Sequence, residues 1–141
     1  MTTVRAADAP CLDTNIFLRH LTEDRPQQSP KCKALIAGLE SGTVEAWTTH
    51  LVVAEAVFVL DRIYKFTRQE TADALLPILG LPGLHLPQKR LFHRVFALYM
   101  SLSPGFVGCY HAALVEKREG HRVLSYDAGF DRVSGLVRIE P

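Results

Sequence analysis

Apolar and polar positions follow two different rhythms along this chain. Short apolar runs bounded by turn formers read as strands: Ala9–Asp13, Val44–Thr48, Leu84–Leu86, Arg122–Tyr126 and Leu136–Ile139. Longer stretches carry helical spacing. Asn15–Leu21 starts a helix, and Ser29 with Pro30 marks a second, with Ser29 as cap and Pro30 at the first helical position. That helix runs to about Glu40, where Ser41–Gly42 stops it. His50–Tyr64 places Leu51, Ala54 and Phe58 at near-helical spacing. Thr67-Arg68-Gln69-Glu70 is a capping box, in which hydroxyl and carboxylate each satisfy an amide left orphaned at the helix start, and it opens a helix to about Leu79. Gln88–Ser101 has Leu91, Val95 and Leu98 on one face, with Arg90 and Arg94 off it. Phe106–Glu119 is a further helix stopped by Gly120, and Phe130–Val133 is a short helical turn. Two polar or Gly/Pro-rich breaks, Thr22–Pro30 and Gly80–Pro87, are too short to be domain linkers.

Short strands alternating with longer helices predict an α/β domain with a parallel sheet wrapped by helices. Strands of such a sheet are covered on both sides, so Ala9–Leu12 and Arg122–Tyr126 are expected to be fully buried.

Composition narrows the class. A chain of 141 residues is expected to be one domain. A hydrophobic fraction of 48% excludes disorder as the main state. The net charge of +1, from 16 basic and 15 acidic residues, argues against a nucleic-acid binder driven by bulk charge. Three cysteines, Cys11, Cys32 and Cys109, form no C-x-x-C pair, which predicts small buried side chains in a reducing, cytoplasmic setting. The first ten residues have no apolar signal core, and no run approaches the ~18 apolar residues of a membrane span.

Three acids stand where chemistry is expected. Asp13 ends the first strand and Asp127 follows the strand Arg122–Tyr126, and open parallel sheets bind ligands beyond the C-terminal ends of their strands. Glu55 lies between Val53, Ala54, Ala56 and Val57, where an unpaired buried carboxylate is costly, so it is expected to face a groove or find a partner. Carboxylates without His or Cys ligands suit Mg²⁺ or Mn²⁺, which activate water and polarise phosphodiesters. Each acid also has a simpler reading: Asp13 and Asp127 as caps of the turns that follow them, and Glu55 as a groove-edge partner of Arg or Lys. No H-E-x-x-H, G-x-S-x-G, G-x-G-x-x-G or Walker A pattern occurs, Ser41, Ser101, Ser103 and Ser134 included, so zinc, serine-hydrolase and nucleotide-cofactor chemistry find no support. A phosphotransfer domain is disfavoured because Asn15, not an acid, stands two positions after Asp13. The basic groups Arg62/Lys65/Arg68, Lys89/Arg90/Arg94 and Lys117/Arg118/Arg122 read as solvated faces, one or two of which could meet RNA backbone. Tyr64, Phe66 and Tyr99 could stack bases or pack in the core.

With these residues in view, the chain resembles PIN-domain nucleases, nearest to the VapC-type toxins of prokaryotic toxin–antitoxin modules. CLDTNIFLRHL resembles their first motif, THLVVAEAVFVL the second, and FVGCYHAALVEKREGHRVLSYDAGFDRV the C-terminal half. The resemblance implies a three-layer α/β/α fold with a short, mostly parallel sheet of about five strands. It implies hydrolysis of RNA phosphodiesters with Mg²⁺ or Mn²⁺ held by Asp13, Glu55 and Asp127, and with Asn15 and Ser125 supporting the site. Arg19 matches a position that could meet RNA phosphate or a neighbouring acid. It also implies a homodimer neutralised by a cognate antitoxin, whose tail lies in the acidic groove and brings an Arg to the carboxylates.

One position departs from the pattern. Relatives carry an Asp where this chain has Gly108. Glycine offers no ligand oxygen, so divalent-cation binding should be weakened. Three accounts stand at this stage: an inactivating change of an active toxin, a naturally degenerate site, or compensation by another acid, for which Asp131 is the nearest. If the site is degenerate, the chain becomes a binding module for antitoxin or RNA. Restoring the Asp would also bring the formal charge to zero.

Overall fold

The computed structural model describes residues 8–102 and 104–141. The stretch read for a signal core lies mostly outside them, as does Ser103. The elements in chain order are α1 (Thr14–Thr22), α2 (Ser29–Ser41), β1 (Ala46–Trp47), α3 (His50–Arg62), α4 (Arg68–Leu79), β2 (Leu84–His85), α5 (Leu91–Ser101), α6 (Phe106–Val115), β3 (Arg122–Leu124), a 3-10 turn (Ala128–Arg132) and β4 (Val137–Ile139). No helix is long and apolar enough to cross a membrane among the described residues. Contacts divide the chain into two compact units, the first ending at Lys89 and the second running from Arg90 to Pro141.

In the first unit, β1 and β2 pair in parallel, Ala46 beside Leu84 and Trp47 beside His85. Cys11 adds a parallel bridge to Trp47, with the Leu12 amide donating to the Trp47 carbonyl at 2.7 Å and the Trp47 amide to the Pro10 carbonyl at 3.0 Å. The expected strand Ala9–Asp13 is therefore reduced to this one bridge. Gly83 explains part of the tight geometry at the entry to β2: a Cβ there would stand 2.2 Å from the Val44 carbonyl oxygen and 2.9 Å from that of Leu39. The core is built from Phe17, Leu39, Val53, Leu60, Leu75 and Leu84, all essentially inaccessible.

Helix starts follow local chemistry. Thr49 caps α3 by accepting from the Val52 amide at 3.2 Å. The capping box of α4 is complete: Thr67 Oγ1 accepts from the Glu70 amide at 3.1 Å, and Glu70 accepts from the Thr67 amide at 2.8 Å. Ser29 departs from its expected role. Gln28 occupies the cap position of α2, Ser29 is already helical, and its buried hydroxyl has no hydrogen-bond partner. Gly42 ends α2 in the left-handed region, as the Ser-Gly stop requires.

In the second unit, α5 packs on α6 through an aromatic cluster. Phe96 lies 5.2 Å from Phe106, and Tyr99 meets Phe106 edge-on at 5.6 Å. Leu91, Val95 and Leu98 are buried and Arg90 and Arg94 exposed, as their spacing predicts, although the helix begins at Leu91 and not at Gln88. α6 ends at Val115, short of the expected Glu119. β3 and β4 pair in parallel from Arg122–Val137 to Leu124–Ile139.

Two expectations about the sheet fail. Among the described residues the strands form two pairs, not a five-stranded sheet. The strand Arg122–Leu124 is not buried, and Leu124 is 72% exposed. Pairs of two or three residues have no flanking strands to fix a face, so outward side chains stay in solvent.

Candidate active site

Asp13 sits at the N-cap of α1 in an extended conformation, and its side chain makes no capping hydrogen bond. The carboxylate is exposed and is not held by the helix it precedes, so the capping alternative does not account for it. Asn15 is exposed beside it, while the Thr14 hydroxyl between them is buried without a partner. α3 packs against α1 and carries Glu55. Glu55, expected to face a groove or find a partner, is exposed. Val53, Ala56, Val57 and Leu60 take the buried side of α3. Leu51 and Phe58, one turn to either side of Glu55, are 81% and 60% exposed, so these apolar positions at helical spacing lie outward. Neighbours in a helical sequence diverge by about 100°, and an acid among valines can still face water.

Arg19 is engaged locally. Its Nε donates to Gln28 Oε1 at 2.9 Å, and its guanidinium lies 3.7 Å from Asp24. The acid it meets is Asp24 of the following loop, not one of the candidate site acids. The Tyr64 hydroxyl also donates to Asp24, and this bond, more than the nearby arginines, holds the Asp24 carboxyl below its usual range. Asn15, Arg19, Gln28 and Lys31 line a recess of about 330 Å³ on this unit.

In the second unit, Asp127 caps the 3-10 turn: its Oδ1 accepts from the Gly129 amide at 2.8 Å. Ser125 Oγ accepts from the Asp127 amide at 3.0 Å, which fixes the backbone that carries the acid. Ser125 is itself pinned through its amide to Ile139 and through its carbonyl to Arg138. Asp131 does not substitute for a missing ligand, because Arg138 holds both its oxygens at 2.9 and 3.0 Å and keeps the carboxyl ionised below its ordinary range. His111, one turn beyond Gly108, is exposed and lies against the Tyr110 ring.

Gly108 occupies the first turn of α6 with a helical backbone that any residue can adopt. Among the described residues, a Cβ there would meet only the Pro104 Cβ, at 3.3 Å. A Cβ on Gly129 would lie 3.5 Å from the same Pro104 atom and 3.0 Å from Asp127 Oδ1. Pro104 thus stands between position 108 and the turn that carries Asp127, and no sequence motif singles it out. A small cleft of about 280 Å³ opens here, lined by Pro104, Gly105, Asp127 and Arg132. Cys32 and Cys109 are buried as expected, whereas Cys11 is exposed.

The structure therefore places Asp13, Asn15, Arg19 and Glu55 in one unit, and Gly108, Ser125 and Asp127 in the other. Among the described residues no three His, Cys, Asp or Glu side chains are grouped so as to hold a metal ion. With no side chain at Gly108, the residues present do not fit a complete cation site.

The alternation of elements and the parallel pairing describe an α/β protein. The PIN domain matches residues 11–136, nearly the whole chain, and the chain belongs to the PIN-domain family. PIN domains are three-layer α/β/α proteins and generally divalent-metal-dependent nucleases. No curated protein matches the chain in a sequence search.

Proposed function

We propose that this PIN domain is the endoribonuclease toxin of a toxin–antitoxin pair, with Asp13, Glu55 and Asp127 as its acids and with cleavage impaired at Gly108. Asn15 and Ser125 support those acids, and Mg²⁺ or Mn²⁺ is the cation the reading calls for. A cytoplasmic homodimer that binds RNA and is neutralised by a small antitoxin goes with it, all of it one domain.

Position 108 carries the reading. It has room for a side chain, no backbone reason to be glycine, and one atom of Pro104 between it and the turn that holds Asp127. An Asp placed there would add a carboxylate beside Asp127 and raise the affinity for a hard divalent cation. Gly108, which offers no ligand oxygen, favours a second reading, a PIN-fold module that binds antitoxin or RNA without cutting.

The test is cleavage of structured RNA in Mn²⁺ by the natural chain, Gly108→Asp and the double variant Gly108→Asp/Asp13→Asn. Activity in Gly108→Asp that is lost with Asp13→Asn supports the nuclease. Absence of cleavage by Gly108→Asp on every RNA tried leaves the binding module.

A further inference from the structure

A recess of about 700 Å³ lies in the first unit, apart from the acids, and no step of the cleavage reading uses it. Its lining includes Trp47, Thr49, His50, His85, Pro87 and Lys89. Trp47 and His85 are register partners in the parallel pair, so their side chains leave the same face of adjacent strands, roughly 4.8 Å apart at the backbone. Ala46 and Leu84, one position earlier, take the buried face. Trp47 is 44% exposed, and the His85 side chain 46%. Both rings are about half exposed on this face.

The walls are held in place. His50 Nε2 bonds the Pro87 carbonyl at 2.6 Å. Lys89 Nζ donates to the Leu81 and Leu84 carbonyls at 3.2 and 2.8 Å, which keeps its ammonium at the rim. Glu45 lies 3.5 Å from His85 and orients that ring. The recess is therefore formed before anything enters it.

Neither Asp13 nor Glu55 lines it, but the backbone links it to both. The Leu12 amide, one residue before Asp13, donates to the Trp47 carbonyl. His50 opens α3, and Glu55 stands five residues further on, about 7.5 Å of helix rise.

We infer that the Trp47–His85 shelf stacks an unpaired nucleobase of an RNA strand that runs along Asp13 and Glu55. Paired tryptophan and imidazole faces offer stacking to any base, and one cation at the rim suits the adjoining phosphate. Duplex RNA, whose bases are already stacked, is excluded by the same chemistry. The inference rests on the nuclease reading for its choice of ligand, but its test does not need cleavage.

Trp47 is the only tryptophan, so tryptophan fluorescence, excited apart from the four tyrosines, reports this shelf alone. The natural chain is titrated in EDTA with single-stranded oligo(A) and with a fully paired RNA duplex. Anisotropy of labelled oligo(A) measures affinity for Trp47→Ala, Trp47→Phe and His85→Ala. Saturable quenching by oligo(A) and none by duplex is expected. Trp47→Ala should weaken oligo(A) binding about tenfold or more, the scale of one lost base–aromatic stack, with Trp47→Phe retaining most of the affinity. Unchanged fluorescence of the natural chain at saturating oligo(A) overturns the inference, as does a Trp47→Ala variant that binds as tightly as the natural chain. The quenching arm needs no variant, so a misfolded Trp47→Ala does not decide the matter. Cleavage by Gly108→Asp without quenching overturns the shelf and leaves the nuclease. Quenching without cleavage does the reverse.

Discussion

Filling position 108 should stabilise the protein before any cation is added. Gly108 lies in the first turn of α6, whose cap Gly105 gives no side-chain bond and whose first turn holds no acid. Glycine in a helix costs about 0.5–1 kcal/mol relative to alanine. Gly108→Ala recovers that, less the cost of moving Pro104 by a few tenths of an ångström from the 3.3 Å contact. Aspartate is a poorer helix former than alanine, but a negative charge in the first turn returns about 0.3–1 kcal/mol through the helix dipole. Both variants should therefore gain about 0.5 kcal/mol, a Tm rise of about 1–2 °C for a chain of this size. Thermal unfolding in EDTA, followed by calorimetry at low and high salt, measures this. The Asp gain should shrink with salt, because a surface charge–dipole interaction is screened, and the Ala gain should not. A loss of more than about 1 kcal/mol in both variants would refute the reasoning. Glycine at 108 would then be a packing requirement of Pro104 and not the trace of a lost acid.

Three further outcomes are expected. Thr67→Ala removes one half of the α4 capping box and should cost about 1 kcal/mol in denaturant unfolding, with Thr67→Ser close to neutral. His20 is held below its ordinary value of 6.5, first by burial and then by the Lys33 ammonium, so the unfolded chain takes up its proton first as pH falls. Stability should therefore decline as pH drops from about 6.5 toward the folded value, and His20→Gln should flatten that decline in melts taken between pH 7.5 and 5. Asp131→Asn in the Gly108→Asp background should leave cleavage of RNA unchanged, since Asp131 is bound to Arg138; a loss above tenfold would make Asp131 part of the site.

Much of the fold was readable because local rules and tertiary structure agree. The Thr67–Glu70 box, the Gly42 stop and the apolar face of α5 each rest on contacts within a few residues, and each stands where the pattern puts it. The failures share a cause. Ser29 had the right residue type for a cap, but the helix starts one position earlier and leaves its hydroxyl inside. Leu51 and Phe58 had helical spacing, yet Val53, Ala56 and Val57 won the buried side. Where two faces of a helix are both apolar, periodicity cannot rank them. Strand length was overread for the same reason, since an apolar run says nothing about how many partners will bond it. At the candidate site, strand ends point to Asp13 and Asp127, and the family resemblance points to Ser125. Pro104, Trp47 and His85 were missed because their roles depend on neighbours distant in sequence. Only the lone tryptophan ending a short strand hinted at one of them.

The account turns on the acid missing at position 108. Cleavage of a structured RNA substrate in Mn²⁺, with parallel reactions in EDTA, should be near background for the natural chain and rise at least tenfold with Gly108→Asp, with the gain abolished by EDTA. EDTA-sensitive cleavage by the natural chain as fast as by Gly108→Asp would contradict it.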